Sequence, residues 1–227
     1  MTSYHGGKQR IGKRISELIM QQTHASNLPR RGNKYKGYCE PFSGMCGVSQ
    51  HIPANAFRAH LAGDINKSVI MMWHKLQQGW SPPVKCTRER FFKLKGNGKS
   101  SAEKGFVGHV YGFRGIYFVT FKDRDIDSSR RKVKALATGP LHHVVFAHGE
   151  YTQFSHLRGY AIYCDPPYAN HSNFMDEFNH IIPMDHVAFY KWAENMSIYN
   201  LVFISERINL PYTLLEEFPN SEKLYVI

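Results

Sequence analysis

The order of apolar strands and amphipathic helices predicts an α/β fold, its sheet mostly parallel, with one basic insertion. Three observations carry that prediction. Short apolar runs at Gly37–Glu40, His60–Gly63 and Ala161–Cys164 alternate with helical patterns and end at polar or acidic residues. Residues 80–140 interrupt the alternation, mixing lysine, arginine, glycine and aromatics without a clean period. The 227 residues, 42% hydrophobic and 14% aromatic, are enough for one packed domain carrying an insertion.

Ile11, Ile15, Leu18 and Ile19 recur at helical spacing and predict a helix over residues 9–22. Residues 24–36 are polar, basic and broken by Pro29 and Gly32, which marks a loop. Gly37-Tyr38-Cys39-Glu40 is a strand ended by Pro41, and Ser43, Gly44 and Gly47 make a turn that opens another helix. The next strand, His60-Leu61-Ala62-Gly63, ends at Asp64. Asn66 then caps a helix whose Val69, Ile70, Trp73 and Leu76 share one face, and Gly79 stops it. Beyond the insertion, strands are expected at 143–147, 161–164, 200–205 and 223–227, with a helix capped by Asp185 before the third. The organisation that follows is a main domain of residues 1–79 and 141–227 and an insertion at 80–140.

Lysine and arginine number 29 against 18 acidic residues, a net charge of +11. The excess is uneven: 11 basic and 3 acidic residues in 1–83, 15 and 6 in 84–158, but 3 and 9 in 159–227. A basic front and middle with an acidic tail implies a polyanion held on one side, nucleic acid first. The four cysteines show no paired spacing, and none of the 13 histidines clusters with them, so no metal is expected. Free thiols suit a reduced compartment, cytoplasm or nucleus. No apolar run approaches the roughly 18 residues of a membrane span. The basic start, Met1–Arg14, lacks the apolar stretch of a secretory signal.

In an open α/β sheet, ligands bind beyond the carboxyl ends of the strands. Glu40-Pro41-Phe42-Ser43-Gly44, Asp64, Glu150 and Asp165-Pro166-Pro167-Tyr168 all stand at such ends. Small residues after the first strand let the backbone approach a ligand closely. An acidic residue ending the second strand is placed to bind a ribose diol. Pro166 and Pro167 fix a rigid turn and remove two backbone donors. That leaves the Asp165 carboxylate and the Pro166 carbonyl as acceptors beside the Tyr168 ring, a set suited to the exocyclic amine of a nucleobase.

Together these motifs resemble the Dam-like (D12 class) DNA adenine-N6 methyltransferases, especially the compact phage and viral forms. Tyr4-His5-Gly6-Gly7-Lys8 is similar to the family's N-terminal aromatic-x-Gly-Gly-Lys motif. Glu40-Pro41-Phe42-Ser43-Gly44-Met45-Cys46-Gly47 resembles its cofactor loop, with Cys46 standing where the second loop glycine usually falls. Leu61-Ala62-Gly63-Asp64-Ile65-Asn66 resembles the acidic ribose motif and Asp165-Pro166-Pro167-Tyr168 the catalytic motif. Phe106-Val107-Gly108 and Gly112-Phe113-Arg114-Gly115 are similar to a glycine- and aromatic-rich stretch of the compact members.

The resemblance implies a Rossmann-like class I methyltransferase sheet, S-adenosylmethionine as methyl donor, and DNA, in duplex form, as partner. It implies cofactor contacts at Tyr4, Gly7, Lys8, Glu40, Phe42, Gly44, Asp64, Ile65, Tyr151 and Asp165. Asp165, Pro166, Pro167 and Tyr168 are the implied catalytic group, acting on a flipped-out adenine without a covalent enzyme intermediate. Target recognition falls to the insertion, where Arg88, Arg90, Arg114, Arg124, Arg130, Arg131 and Lys132 are the expected DNA contacts. Lys104 is a further expected phosphate contact, and Phe91, Phe92, Tyr111, Phe113 and Tyr117 interleave with the cations. Two other readings stay open: an RNA adenine-N6 or cytosine-N4 amino-methyltransferase, and a non-catalytic nucleic-acid-binding relative.

Overall fold

Successive residues of the central strands feed two different cores, as a sheet covered on both faces requires. The computed structural model describes residues 8–25, 35–113, 116–169 and 183–227. Its strands are β1 (Gly37–Glu40), β2 (Ala59–Asp64), β3 (Val145–His148), β4 (Tyr160–Cys164), β5 (Leu201–Glu206), β6 (Thr213–Phe218) and β7 (Glu222–Val226). Its helices are α1 (Gly12–Ala25), α2 (Lys67–Gln77), α3 (Arg88–Gly96), α4 (Ala102–Val110), α5 (Asp127–Thr138) and α6 (His186–Ser197). Tyr38, Ala161 and Tyr163 pack with Ile15, Leu18 and Ile19 of α1. One residue along, Cys39, Ile162 and Cys164 pack with Phe189, Ala193 and Met196 of α6.

The strands form one sheet in the order β3-β2-β1-β4-β5-β7-β6. All are parallel except β7, which runs against both neighbours. This is the α/β, Rossmann-like arrangement that the sequence predicts. The chain moves outward from β1 through β2 and β3, then returns to place β4 on the other side of β1. Strand order therefore reverses between β1 and β4, the switch point at which open α/β sheets bind their ligands.

The basic segment is more helical than its pattern implies. Val69, Trp73 and Leu76 of α2 share a core with Phe91 of α3, Phe106 and Val107 of α4 and Val133 of α5, reaching the sheet at Ala62 and Phe146. Every residue of α4 except Glu103 is buried, so no polar stripe reveals the helix. Its cap is Ser101, whose side chain accepts from Lys104 N–H at 3.1 Å. Gly105 permits the close approach to α2, because a Cβ there would collide with the Ser68 carbonyl. Lys104, expected on a phosphate, is instead fully buried, with Nζ donating to the Asn97 carbonyl at 2.6 Å.

Two further elements differ from expectation. The helix expected after the 43–47 turn shrinks to a single 3-10 turn, Ser49–His51. Ile52 precedes Pro53 and takes extended backbone (φ −77°, ψ 120°), which stops the helix. The sequence pattern does not mark β6, an edge strand whose side chains are mostly exposed or half-buried and so carry no apolar alternation.

Candidate active site

The turn after β1 is held by the neighbouring strand. Ser43 N–H donates to the Gly63 carbonyl at 2.8 Å, and Gly44 N–H to Asp64 Oδ2 at 2.8 Å. Asp64 Oδ1 accepts from Asn66 N–H at 2.8 Å, and Trp73 Nε1 donates to the Gly44 carbonyl at 3.0 Å. Burial raises the Asp64 pKa, with the two N–H donors opposing it. Gly44 (φ 44°) and Cys46 (φ 54°) both adopt left-handed backbone. Cys46 thus takes the conformation glycine usually serves, and burial keeps its thiol protonated by pushing the pKa well up. Glu40 turns inward: Oε2 accepts from Ser49 N–H at 3.0 Å, from the Ser49 hydroxyl, and from the Tyr38 hydroxyl at 3.3 Å. Burial pushes its pKa up to about 8. Its role in the structure is to tie the loop to β1.

Lys8 reaches the same place from the residues preceding α1. A Cβ on Gly47 would crowd the Lys8 backbone, and one on Gly12 would collide with the Gly47 carbonyl. These two glycines let the N-terminal segment lie directly on the turn. Lys8 Nζ donates to Asp165 Oδ1 at 2.7 Å and to the Tyr168 hydroxyl at 2.8 Å, and lies 3.1 Å from Glu222 Oε1. Burial lowers the ammonium pKa, but Asp165 and Glu222 together more than offset it and leave it raised. At Asp165, burial is the leading cause of a pKa pushed up to about 6, with Lys8 opposing and Glu222 adding. Arg207, just past β5, stands over the Tyr168 ring at 5.1 Å from its centroid.

Sequence reasoning misses Glu222 and Arg207. Glu222 opens β7, and only the antiparallel sense of that strand brings its start to the edge where the parallel strands end. The acidic residue directly ahead of the expected 223–227 strand is the available signal.

Phe42 stacks on Tyr151, with ring centroids 5.7 Å apart and planes 27° off parallel, and meets Phe189 edge-on at 5.7 Å. Phe42, Tyr151 and Ile65 are each half-buried. They join the strand-end cluster by position. Tyr4 and Gly7 lie outside the described residues. Among the described residues, no His, Cys, Asp and Glu side chains are grouped to hold a metal, and no helix is long and apolar enough to cross a membrane.

A model of the D12 class N6 adenine-specific DNA methyltransferases matches residues 4–136, over half of the 227-residue chain. The chain belongs to that family. No curated protein matches it. The matched span takes in Lys8, the glycine turn, Asp64 and the basic segment as far as residue 136. Asp165–Tyr168 lies beyond it, joined to it by the Lys8 contacts above.

The candidate DNA contacts of this adenine-specific methyltransferase differ in what they already hold. Arg130 is held within the fold: Nε donates to the Pro82 carbonyl at 3.0 Å and Nη1 to Asp127 at 2.9 Å. Arg90 grips Glu103 with two nitrogens, and Arg124 donates to the Gly112 carbonyl at 3.3 Å. Arg88 lies over the Phe92 ring at 5.6 Å. Arg131 is 75% exposed while pairing with Asp127. Lys132 is exposed beside Gln9, Met45 and Gln50, close to the glycine turn. Arg114 lies outside the described residues. Of the interleaved aromatics, Phe91, Tyr111 and Tyr117 are core residues, whereas Phe92 and Phe113 are exposed.

Proposed function

We propose that the chain transfers a methyl group from S-adenosylmethionine to N6 of an adenine flipped out of duplex DNA. The observation that carries this reading is the meeting of Lys8, Asp165 and Tyr168 at the switch point between β1 and β4, next to a glycine turn anchored on Asp64. The residues present fit the cofactor. Two carboxylates, Asp165 and Glu222, flank the one ammonium of Lys8. These carboxylates suit a molecule carrying a sulfonium and an ammonium, and Asp64 ends β2 where a ribose diol would lie. Gly44, Phe42, Tyr151 and Ile65 are assigned to its adenosine half.

When bound, S-adenosylmethionine supplies an electrophilic methyl group. The adenine N6 lone pair is delocalised into the ring, so the amine is a poor nucleophile. Asp165 and the Pro166 carbonyl accept its hydrogens and stabilise the positive charge that develops on N6. Tyr168 has its hydroxyl anchored on Lys8, which fixes the ring as a stacking surface for a base that has left the duplex. Positioning and electrostatics do the chemistry. Transfer of labelled methyl groups to duplex DNA, single-stranded DNA and RNA tests the reading. The duplex should be the best acceptor, and methylation of RNA alone would overturn it.

Asp165 has to be ionised to act as this acceptor, and its pKa stands at about 6. The pH profile of kcat/KM should therefore fall on the acid side of about 6, by tenfold per pH unit. Because the pKa is raised, ionising Asp165 opposes folding, so its contribution to stability declines as pH rises from 3.8 to about 6. Glu222→Gln removes a like charge that raises the Asp165 pKa. Its acid limb should shift to lower pH; an unmoved limb would show that Glu222 does not act on Asp165.

DNA is assigned to the exposed cations of the 80–140 segment. Replacing Arg131 and Lys132 together by alanine should flatten the dependence of log affinity on log salt by about 1.8, at about 0.9 per phosphate. Arg130 stays, because it braces the Pro82 carbonyl. An unchanged slope would move the DNA track to the basic residues of the 8–36 region.

A further inference from the structure

Between Asp165 and Tyr168 the backbone has little freedom. The rings of Pro166 and Pro167 lock φ near about −65°. Asp165 and Pro166 each precede a proline, which confines their ψ to the extended range. The soft torsion that remains is ψ of Pro167, which orients the Pro167 carbonyl and the peptide plane leading into Tyr168. Neither proline carries an N–H, so the turn has no backbone donors of its own there to brace it.

The brace comes from α6 and β5. His186, the first residue of α6, places Nε2 at 2.8 Å from the Pro167 carbonyl. A carbonyl only accepts, so Nε2 carries the proton. The helix that presents this ring is capped by Asp185, whose Oδ1 accepts from Ala188 N–H at 2.9 Å. On the far side of Tyr168, Ala169 N–H donates to Glu206 Oε2 at 3.3 Å. Glu206 is fully buried at the end of β5, and also accepts from Arg207 N–H at 2.7 Å and from the Tyr190 hydroxyl at 3.2 Å. Tyr168 is thus pinned through the peptide on either side of it.

We propose that His186 is a positioning residue for methyl transfer. By holding the Pro167 carbonyl it sets ψ of Pro167, and so aims the Tyr168 ring relative to the Asp165 and Pro166 acceptors that precede it. His186 touches neither the base nor the methyl group. The proposal rests on the adenine-N6 reaction argued above and adds a residue outside its chemistry.

The test compares wild type, His186→Phe and His186→Gln for turnover on duplex DNA, cofactor affinity by calorimetry, and thermal stability. Phenylalanine keeps bulk and loses the donor, whereas glutamine keeps a donor. In His186→Phe, kcat should fall roughly 10- to 100-fold with cofactor affinity within about twofold of wild type. His186→Gln should recover most of the loss. Unchanged kcat in His186→Phe overturns the proposal, as does a glutamine variant no better than the phenylalanine one. Should His186→Phe fail to fold, His186→Ala against His186→Gln makes the same comparison. A wild-type protein inactive on DNA would instead overturn the underlying reaction, so the two failures are distinguishable.

Discussion

Asp165→Asn is expected to lower methyl transfer by about 100- to 1,000-fold, the range for losing a group that stabilises developing charge in a buried site. The substitution preserves shape and removes the charge that faces the amine. It also leaves Lys8, now 2.7 Å from Asp165 Oδ1, with Glu222 as its carboxylate partner. Cofactor binding should weaken too, because the same carboxylate is assigned to the cofactor's ammonium. Folding should be little affected, since an ionised, buried Asp165 with a pKa pushed up to about 6 opposes folding near neutral pH. Turnover with labelled cofactor, calorimetric affinity and thermal melting check the three parts. Near-normal turnover in this variant would remove Asp165 from the mechanism.

Gly12→Ala should have a large structural effect at the site. The added Cβ runs into the Gly47 carbonyl, and Gly47 has no room to retreat because it lies against the Lys8 backbone. The Gly12 N–H also donates to the Lys8 carbonyl at 2.5 Å, so displacing α1 displaces Lys8. Overpacking of this kind costs about 1–3 kcal/mol. In a chain of this size that lowers Tm by roughly 2–4 °C per kcal/mol. Cofactor affinity should fall with it, since the glycine turn and Lys8 move together. Gly96→Ala is the control: a Cβ there meets nothing within 4 Å. Equal melting temperatures for the two variants would contradict the close packing of α1 on the turn.

The sequence makes legible what local chemistry decides. Asn66 caps α2 as read, its side chain accepting from Val69 N–H at 3.1 Å. The strands ending at Glu40, Asp64 and Cys164 are marked by apolar runs and stop signals that need no tertiary context. What depends on context is hidden. No residue pattern separates α4 from a loop, because a helix buried on all sides has no polar face to set a period. Arg90, Lys104 and Arg130 read as free cations in a basic stretch, yet their partners Glu103, Asn97 and Pro82 are set by the packing of the helices. Glu222 and His186 enter the site through strand direction and helix placement, neither of which is written in their neighbours. The departure at Cys46 reads from sequence as a change in the loop, whereas its left-handed backbone keeps the glycine-like shape with a thiol in the core.

The most direct test of the central claim is the identity of the modified nucleoside. Duplex DNA is incubated with S-adenosylmethionine and the wild-type protein or Asp165→Asn, digested to nucleosides, and resolved by mass spectrometry. N6-methyldeoxyadenosine is expected with the wild type, little or none with Asp165→Asn, and no methylated cytosine in either. Methylated cytosine, or equal N6-methyldeoxyadenosine with both proteins, would contradict that claim.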